Sequence, residues 1–187
     1  MRSIDRSQHA TRNTQHVARA SRTSPMKFYF LRHAEALAGA DDAQRPLSPT
    51  GRRQAREVAR ALSRAGVVFD LAFTSPLVRA KQTVAITLEI TNEQSVIAPQ
   101  ESPVLLNETD AERFADWLAQ LPEARHVLLV GHEPSLSARV RRLLGLGRTE
   151  ALELSKGAVA CVKTADRRVG TLKFLLTPKS LGLGSGR

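Results

Sequence analysis

His126 to Gly131, read HVLLVG, is the stretch that most restricts what this chain can fold into. Its centre is apolar at every position, without the alternation of a strand that shows one face to water. Such a strand is buried on both faces, the habit of parallel sheets covered by helices on both sides. Phe28 to Leu31, FYFL, is a second run of this kind, and its aromatic and aliphatic residues suit a buried strand. Both runs end abruptly in polar side chains: Arg32, His33 and Glu35 after the first, His132 and Glu133 after the second. In open α/β sheets this carboxyl edge of the strands is where ligands bind.

The segments around these strands read as helices, loops and further strands. Arg45, Pro46, Leu47, Ser48, Pro49, Thr50 and Gly51 are turn formers and hydroxyl residues able to cap a helix. The spacing of Ala55, Val58, Ala59 and Leu62 then predicts a helix over 52–65, with Arg52, Arg56, Arg60 and Arg64 on another face. That row is either a solvated face or a docking face for an acidic partner protein. Val67 to Thr74 reads as a strand. Ser75 as N-cap and Pro76 at the first helical position start a helix running to about Ile90, with Leu77, Ala80, Val84 and Leu88 inward and Arg79 in its first turn. Val96 to Leu106 reads as a short strand with flanking loops. Thr109 with Glu112 fits a capping box, followed by the stripe Ala111, Phe114, Ala115 and Leu118. After His132 comes a helix with Leu136, Val140, Leu143 and Leu144 inward. Residues 157–164 and 170–177 read as two strands joined by the charged turn Asp166 to Arg168, an antiparallel end to the sheet. The fold class is therefore α/β: a three-layer α/β/α arrangement around a mostly parallel, doubly wound sheet, with no large cap insertion.

A chain of 187 residues, 42% hydrophobic and 25% charged, fits one ordinary domain plus a tail. The expected boundaries are a disordered basic extension over 1–25, a domain over 26–178 and a flexible tail over 179–187. The extension carries Arg2, Arg6, Arg12, Arg19 and Arg22 against Asp5, so it holds +4 of the formal +10 and leaves the domain mildly basic. Its few apolar residues cannot repay ordering entropy. Its composition also suits an organellar transit peptide, and a start at Met26 is the other alternative. Aromatics are only 4%, and no basic run is interleaved with stacking residues, which argues against nucleic acid as the main partner. Cys161 is the only cysteine, so neither an intramolecular disulfide nor a cysteine metal cluster can form. No apolar stretch reaches the ~20 residues that span a bilayer. The expectation is a soluble, cytoplasmic monomer with no membrane contact. In the tail, Gly182, Gly184 and Gly186 lack the strand-turn-helix context of a nucleotide-binding loop.

Three strand-to-helix junctions carry Arg32 with His33, Arg79, and His132, and in a doubly wound sheet they can converge on one pocket. Two arginines supply planar donors to phosphate oxygens and stay charged at any working pH. A neutral histidine can act as a nucleophile while a second donates to the transferring group. The bland alternative is a set of satisfied structural side chains. Zinc would need a third protein ligand and would be repelled by the guanidinium groups, so no metal and no cofactor is expected.

Four blocks stand in order along the chain: Leu31-Arg32-His33-Ala34-Glu35; Arg45-Pro46-Leu47 with Thr50-Gly51; Thr74-Ser75-Pro76 with Arg79-Ala80 and Gln82-Thr83; and Val130-Gly131-His132-Glu133-Pro134. Together they resemble the histidine phosphatase superfamily, whose fold is that of the phosphoglycerate mutases. The compact form is similar to the SixA branch of phosphohistidine phosphatases. The resemblance implies a phospho-His33 intermediate, with Arg32 and Arg79 binding phosphoryl oxygens and His132 stabilising the transferring charge. Arg45 and Glu35 complete the expected substrate-binding set. Water would then cleave the phosphoenzyme without metal or cofactor.

Two departures from the family pattern matter. Ala34 stands where the family more commonly has glycine, excluding a backbone conformation open only to that residue. No general acid matches a motif, although Glu35, Glu101, Glu108, Asp110 and Glu112 are near in sequence. A positioned acid speeds cleavage of an alkyl phosphate by ~100-fold or more, whereas phosphohistidine expels imidazole, a far better leaving group. The expected substrate is thus phosphohistidine on a protein, such as a histidine-containing phosphotransfer domain. The alternatives are a small-molecule phosphomonoesterase and a catalytically silent phosphoryl-binding module.

Overall fold

A computed structural model describes residues 25–147 and 152–183. Six strands form one sheet: β1 (Met26–Arg32), β2 (Leu71–Thr74), β3 (Gln100–Glu101), β4 (His126–Gly131), β5 (Val159–Thr164) and β6 (Gly170–Leu176), in the order β3-β2-β4-β1-β5-β6. The pairs β3/β2, β2/β4 and β4/β1 are parallel. At β5 and β6 the sheet turns antiparallel, as the charged turn implied. Four helices cover it: α1 (Pro49–Arg64), α2 (Val78–Thr91), α3 (Ala111–Gln120) and α4 (Ser135–Leu143).

Side-chain alternation along the central strands builds the three layers. Phe28, Phe30, Val127 and Leu129 point to one face, where they pack with Phe114 and Leu118 of α3 and Leu136 and Val140 of α4. Tyr29, Leu31, Leu128 and Val130 point to the other, against Val58 and Leu62 of α1 and Val84 and Leu88 of α2. Burial on both faces is what the unbroken apolar runs require. Cys161 is fully buried and free, on the α1/α2 side.

Several elements differ from their sequence reading. Helix α1 starts at Pro49, three residues before the expected 52, and is capped by Ser48, one of the hydroxyl residues read as able to cap it, which accepts from Gly51 N at 2.9 Å. The strand expected over 67–74 keeps only its last four residues. Before them Phe69 is buried but held by the Asn92 side chain, which donates to its carbonyl at 2.8 Å and accepts from its N–H at 3.1 Å. Burial there comes without a ladder. Ser75 does not cap α2: the N-cap is Leu77, with no side-chain cap bond. Only Gln100–Glu101 of the stretch 96–106 pairs as strand; Val96 is 93% exposed, and a 3-10 turn at Pro103–Leu105 buries Leu105. Asp110, not Thr109, caps α3, accepting from Arg113 N at 2.8 Å.

After buried Pro178, Lys179–Leu181 close a 3-10 turn. Residues 1–24 of the extension expected over 1–25, and residues 184–187 of the tail, lie outside the described residues. No described helix is long and apolar enough to cross a membrane.

Candidate active site

The sheet itself brings the two histidines together. β1 and β4 are parallel neighbours with Arg32 opposite Gly131, so the next residues, His33 and His132, leave the edge side by side. Their ring centroids are 4.9 Å apart. On the far side of β4, Thr74 of β2 pairs with Val130, which carries Ser75 up against His132: Ser75 Oγ lies 2.6 Å from His132 Nε2. Arg79, in the first turn of α2, donates from Nε to His33 Nε2 at 3.3 Å. Arg32, His33, Arg79 and His132 therefore meet at one sheet edge.

The hydrogen bonds define the chemical state of His33. Its Nδ1 is 2.7 Å from the Ala34 carbonyl, an acceptor only, so Nδ1 carries the proton and Nε2 keeps its lone pair. Burial lowers its pKa to about 4, against the opposing Ala34 bond, and the nearby Arg79 and Arg32 cations push it the same way. His132 falls to about 3, through burial first and then the neighbouring His33 and Arg79. Both rings are neutral at pH 7. Two buried polar atoms at this edge, His132 Nδ1 and Arg32 Nε, have no hydrogen-bond partner, while Arg32 Nη1 donates to Leu154 O at 2.7 Å. Unpaired buried donors are costly and rare, and an acceptor reaching either atom would remove that cost.

The other motif residues hold this edge in place. Thr83 Oγ1 donates to Arg79 O at 2.7 Å and accepts from Ala34 N at 3.2 Å, tying the start of α2 to the end of β1. Gln82 Oε1 accepts from Leu47 N and Gln54 Oε1 from Glu35 N. Ala34 is fully buried and is not among the residues of positive φ, so the glycine common at this position is not needed for its backbone.

Glu35 and Arg45 are placed differently from the central four. The Glu35 carboxylate accepts from Ser48 Oγ at 2.7 Å, which ties it to the cap of α1. Arg45 donates to Leu37 O and to Asp42 Oδ1, both at 2.7 Å, so it reaches the site only through Asp42. Among the remaining carboxylates, Glu101 pairs with Lys81, Asp110 caps α3, Glu112 takes both Arg142 nitrogens, and Glu108 is exposed. Among the described residues, none of these five acids hydrogen-bonds to the central four.

Two site residues escaped the sequence reading. Ser75 reads equally well as a helix cap, and only the β2/β4 pairing reveals its partner. Asp42, from a small polar loop, accepts from Arg79 at both its carbonyl and its carboxylate. Its one sequence signal is its place three residues before Arg45 in a turn-rich stretch.

Comparison with known proteins agrees with this geometry. The sequence model of the histidine phosphatase superfamily (branch 1) matches residues 28–110. A protein of Picosynechococcus sp. is 31% identical over 168 residues, covering 83% of this chain and 99% of its own length. The structure of the protein histidine phosphatase SixA complexed with tungstate is 26% identical, with a TM-score of 0.75 over 83% of this chain and 99% of that one. The alpha-ribazole phosphatase from Shigella flexneri shares the fold, with 20% identity and a TM-score of 0.60 over 82% of this chain and 97% of its own. The edge that gathers two arginines and two histidines, the three-layer sheet and these likenesses agree: the chain is a phosphatase that belongs to the histidine phosphatase superfamily, in its SixA-type branch.

Proposed function

We propose that this phosphatase removes the phosphoryl group from phosphohistidine on a protein, by way of a phospho-His33 intermediate. The observation that carries the reading is the His33 Nε2 lone pair, kept unprotonated by the Nδ1 bond to Ala34 O and accepting from Arg79 Nε, which marks where an incoming phosphoryl group would sit. In the first step that lone pair forms a bond to phosphorus while the N–P bonding pair returns to the substrate ring. Arg32 and Arg79 neutralise the phosphoryl oxygens. A Ser75 hydroxyl donating to His132 Nε2 leaves the His132 proton on Nδ1, ready for a third oxygen. Phosphoryl transfer depends on such positioning and charge stabilisation more than on covalent help from the protein. Water then cleaves phospho-His33, with no metal or cofactor in either step.

Phosphohistidine is favoured over a phosphate ester because, among the described residues, none of Glu35, Glu101, Glu108, Asp110 and Glu112 hydrogen-bonds to the central four, where a leaving oxygen would need its proton. Asp42, the acid in contact with Arg79, has its carboxyl held below the usual range by hydrogen bonds from Arg79 and Arg45. The reading takes the chain as a cytoplasmic monomer that meets a phosphoprotein, such as a histidine-containing phosphotransfer domain. The exposed Arg56, Arg60 and Arg64 on α1 are available to an acidic partner surface. That the SixA relative is a protein histidine phosphatase solved with tungstate, an oxyanion, supports the same assignment.

The test is to incubate the protein with a phosphorylated phosphotransfer domain and with a panel of sugar phosphates, and to trap any acid-labile phosphoenzyme. Labelling should appear on His33 with the phosphohistidine donor and disappear in His33→Ala, which should also lose turnover. If no donor labels His33, the intermediate is wrong; if only sugar phosphates do, the enzyme is a small-molecule phosphomonoesterase.

A further inference from the structure

Arg79 brings three nitrogens to the site, and only Nε faces His33. Nη1 donates to the Asp42 carbonyl at 2.5 Å and Nη2 to its carboxylate at 2.9 Å. The other carboxylate oxygen takes Arg45 Nη1 at 2.7 Å. Asp42 opens a 3-10 turn, Asp42–Gln44, that Asp41 caps through Ala43 N. The main chain alone would therefore steady Arg79, and the carboxylate adds a fixed negative charge. Burial gives that charge a direction. The Arg79 side chain is 9% exposed and that of Asp42 63%, so the carboxylate stands on the solvent side of the guanidinium, where a phosphorylated residue of another protein must enter and leave. Its field also reaches His132, pushing that ring towards protonation against the cations around it.

We infer that Asp42 sets the leaving-group specificity of the site, favouring phosphoryl donors whose ring is protonated at its far nitrogen and departs as neutral imidazole over those that depart as an alkoxide or phenoxide. The inference rests on the phosphohistidine reading and deepens it. A phosphorylated imidazole protonated at its far nitrogen carries a positive charge on the ring, and a carboxylate at the mouth stabilises that form. When His33 Nε2 bonds to phosphorus, the old N–P pair returns to the ring and neutral imidazole leaves without a general acid. An ester instead sends the O–P pair onto oxygen, building negative charge towards a carboxylate that has no proton to give. Asp42 also competes with phosphoryl oxygens for the Arg79 nitrogens, which disfavours free anions that bring no cationic partner.

The experiment compares the full chain with Asp42→Asn, which keeps the carbonyl contact and side-chain shape, and with Asp42→Glu, which keeps the charge. The readouts are kcat/KM for phosphoimidazole, kcat/KM for phenyl phosphate, and inhibition by inorganic phosphate. Asp42→Asn should lower the ratio of the first to the second tenfold or more and tighten phosphate inhibition about fivefold, while Asp42→Glu should restore the parent ratio. A ratio within twofold of the parent overturns the inference. So does an Asp42→Asn protein that loses both activities at an unchanged melting temperature, because the carboxylate would then serve only to position Arg79. If the parent cleaves phenyl phosphate and not phosphoimidazole, the phosphohistidine reading fails instead. Phosphate inhibition then decides for Asp42: tighter in Asp42→Asn supports the charge, unchanged overturns it.

Discussion

Ser75 is a residue whose neighbours in sequence mislead. A Ser-Pro pair after a strand is a common helix start, yet its hydroxyl is spent on His132 Nε2 rather than on the free N–H groups of α2. His132 has two ring nitrogens and one proton, and this bond decides which nitrogen carries it. Ser75→Ala should therefore lower kcat about tenfold or more with little change in KM, and Ser75→Thr should recover much of the loss. A rise in KM alone would show that Ser75 does not orient the ring. Arg32, His33, Arg79 and His132 were legible because each follows an apolar strand or opens the next helix, a place that sequence periodicity finds. Asp42 and Ser75 were not, because their partners lie 37 and 57 residues away. No local pattern encodes such contacts.

At the scale of elements, the start of α1 shows how tightly one helix controls the site. A Cβ on Gly51 would lie 1.9 Å from the Glu35 carbonyl oxygen, so the first turn of α1 packs directly on the backbone two residues beyond His33. The same carbonyl accepts from Ser48 N at 3.0 Å, and the Glu35 carboxylate accepts from the Ser48 hydroxyl. Glu35 thus belongs to the helix cap. Gly51→Ala must push the end of β1 or the start of α1 aside, and overpacking of this kind costs roughly 1–3 kcal/mol. Expected are a melting temperature lower by several degrees and slower labelling of His33; an unchanged melting temperature would mean that the contact relaxes freely. The central strands and the helix faces were readable because their periodicity reflects burial directly. Strand length on the β2 and β3 side was not. Val67 and Phe69 are as apolar as a strand requires, but the Asn92 amide, not a neighbouring strand, satisfies Phe69. Hydrophobicity reports what is buried and is silent on which partner takes the backbone.

The whole molecule carries the thermodynamic cost of keeping two neutral histidines under one sheet edge. His33 and His132 are 9% and 4% exposed, with pKa values lowered to about 4 and about 3 against 6.5 for a free ring. Between pH 6.5 and 4 the unfolded chain therefore binds protons that the native one refuses, and stability must fall as pH falls through that window. From pH 7 to pH 5 the loss is about 2 kcal/mol for each ring. His126, also lowered by burial, acts in the same direction. The Asp42 and Asp166 carboxylates, held below their usual range, lose their contribution only on further acidification, and Glu133, raised by burial, works the opposite way. Denaturant unfolding at pH 7 and pH 5 should show this loss in the parent, and His33→Gln, which carries no titrating ring, should lose about 2 kcal/mol less. An equal loss in both proteins would mean that His33 is protonated in the native state at pH 5 and cannot be the neutral nucleophile there. Catalysis gives an independent check: the acid limb of kcat/KM for a stable ester substrate should lie below pH 5, where the free enzyme's His33 takes up its proton, rather than near the ordinary histidine value.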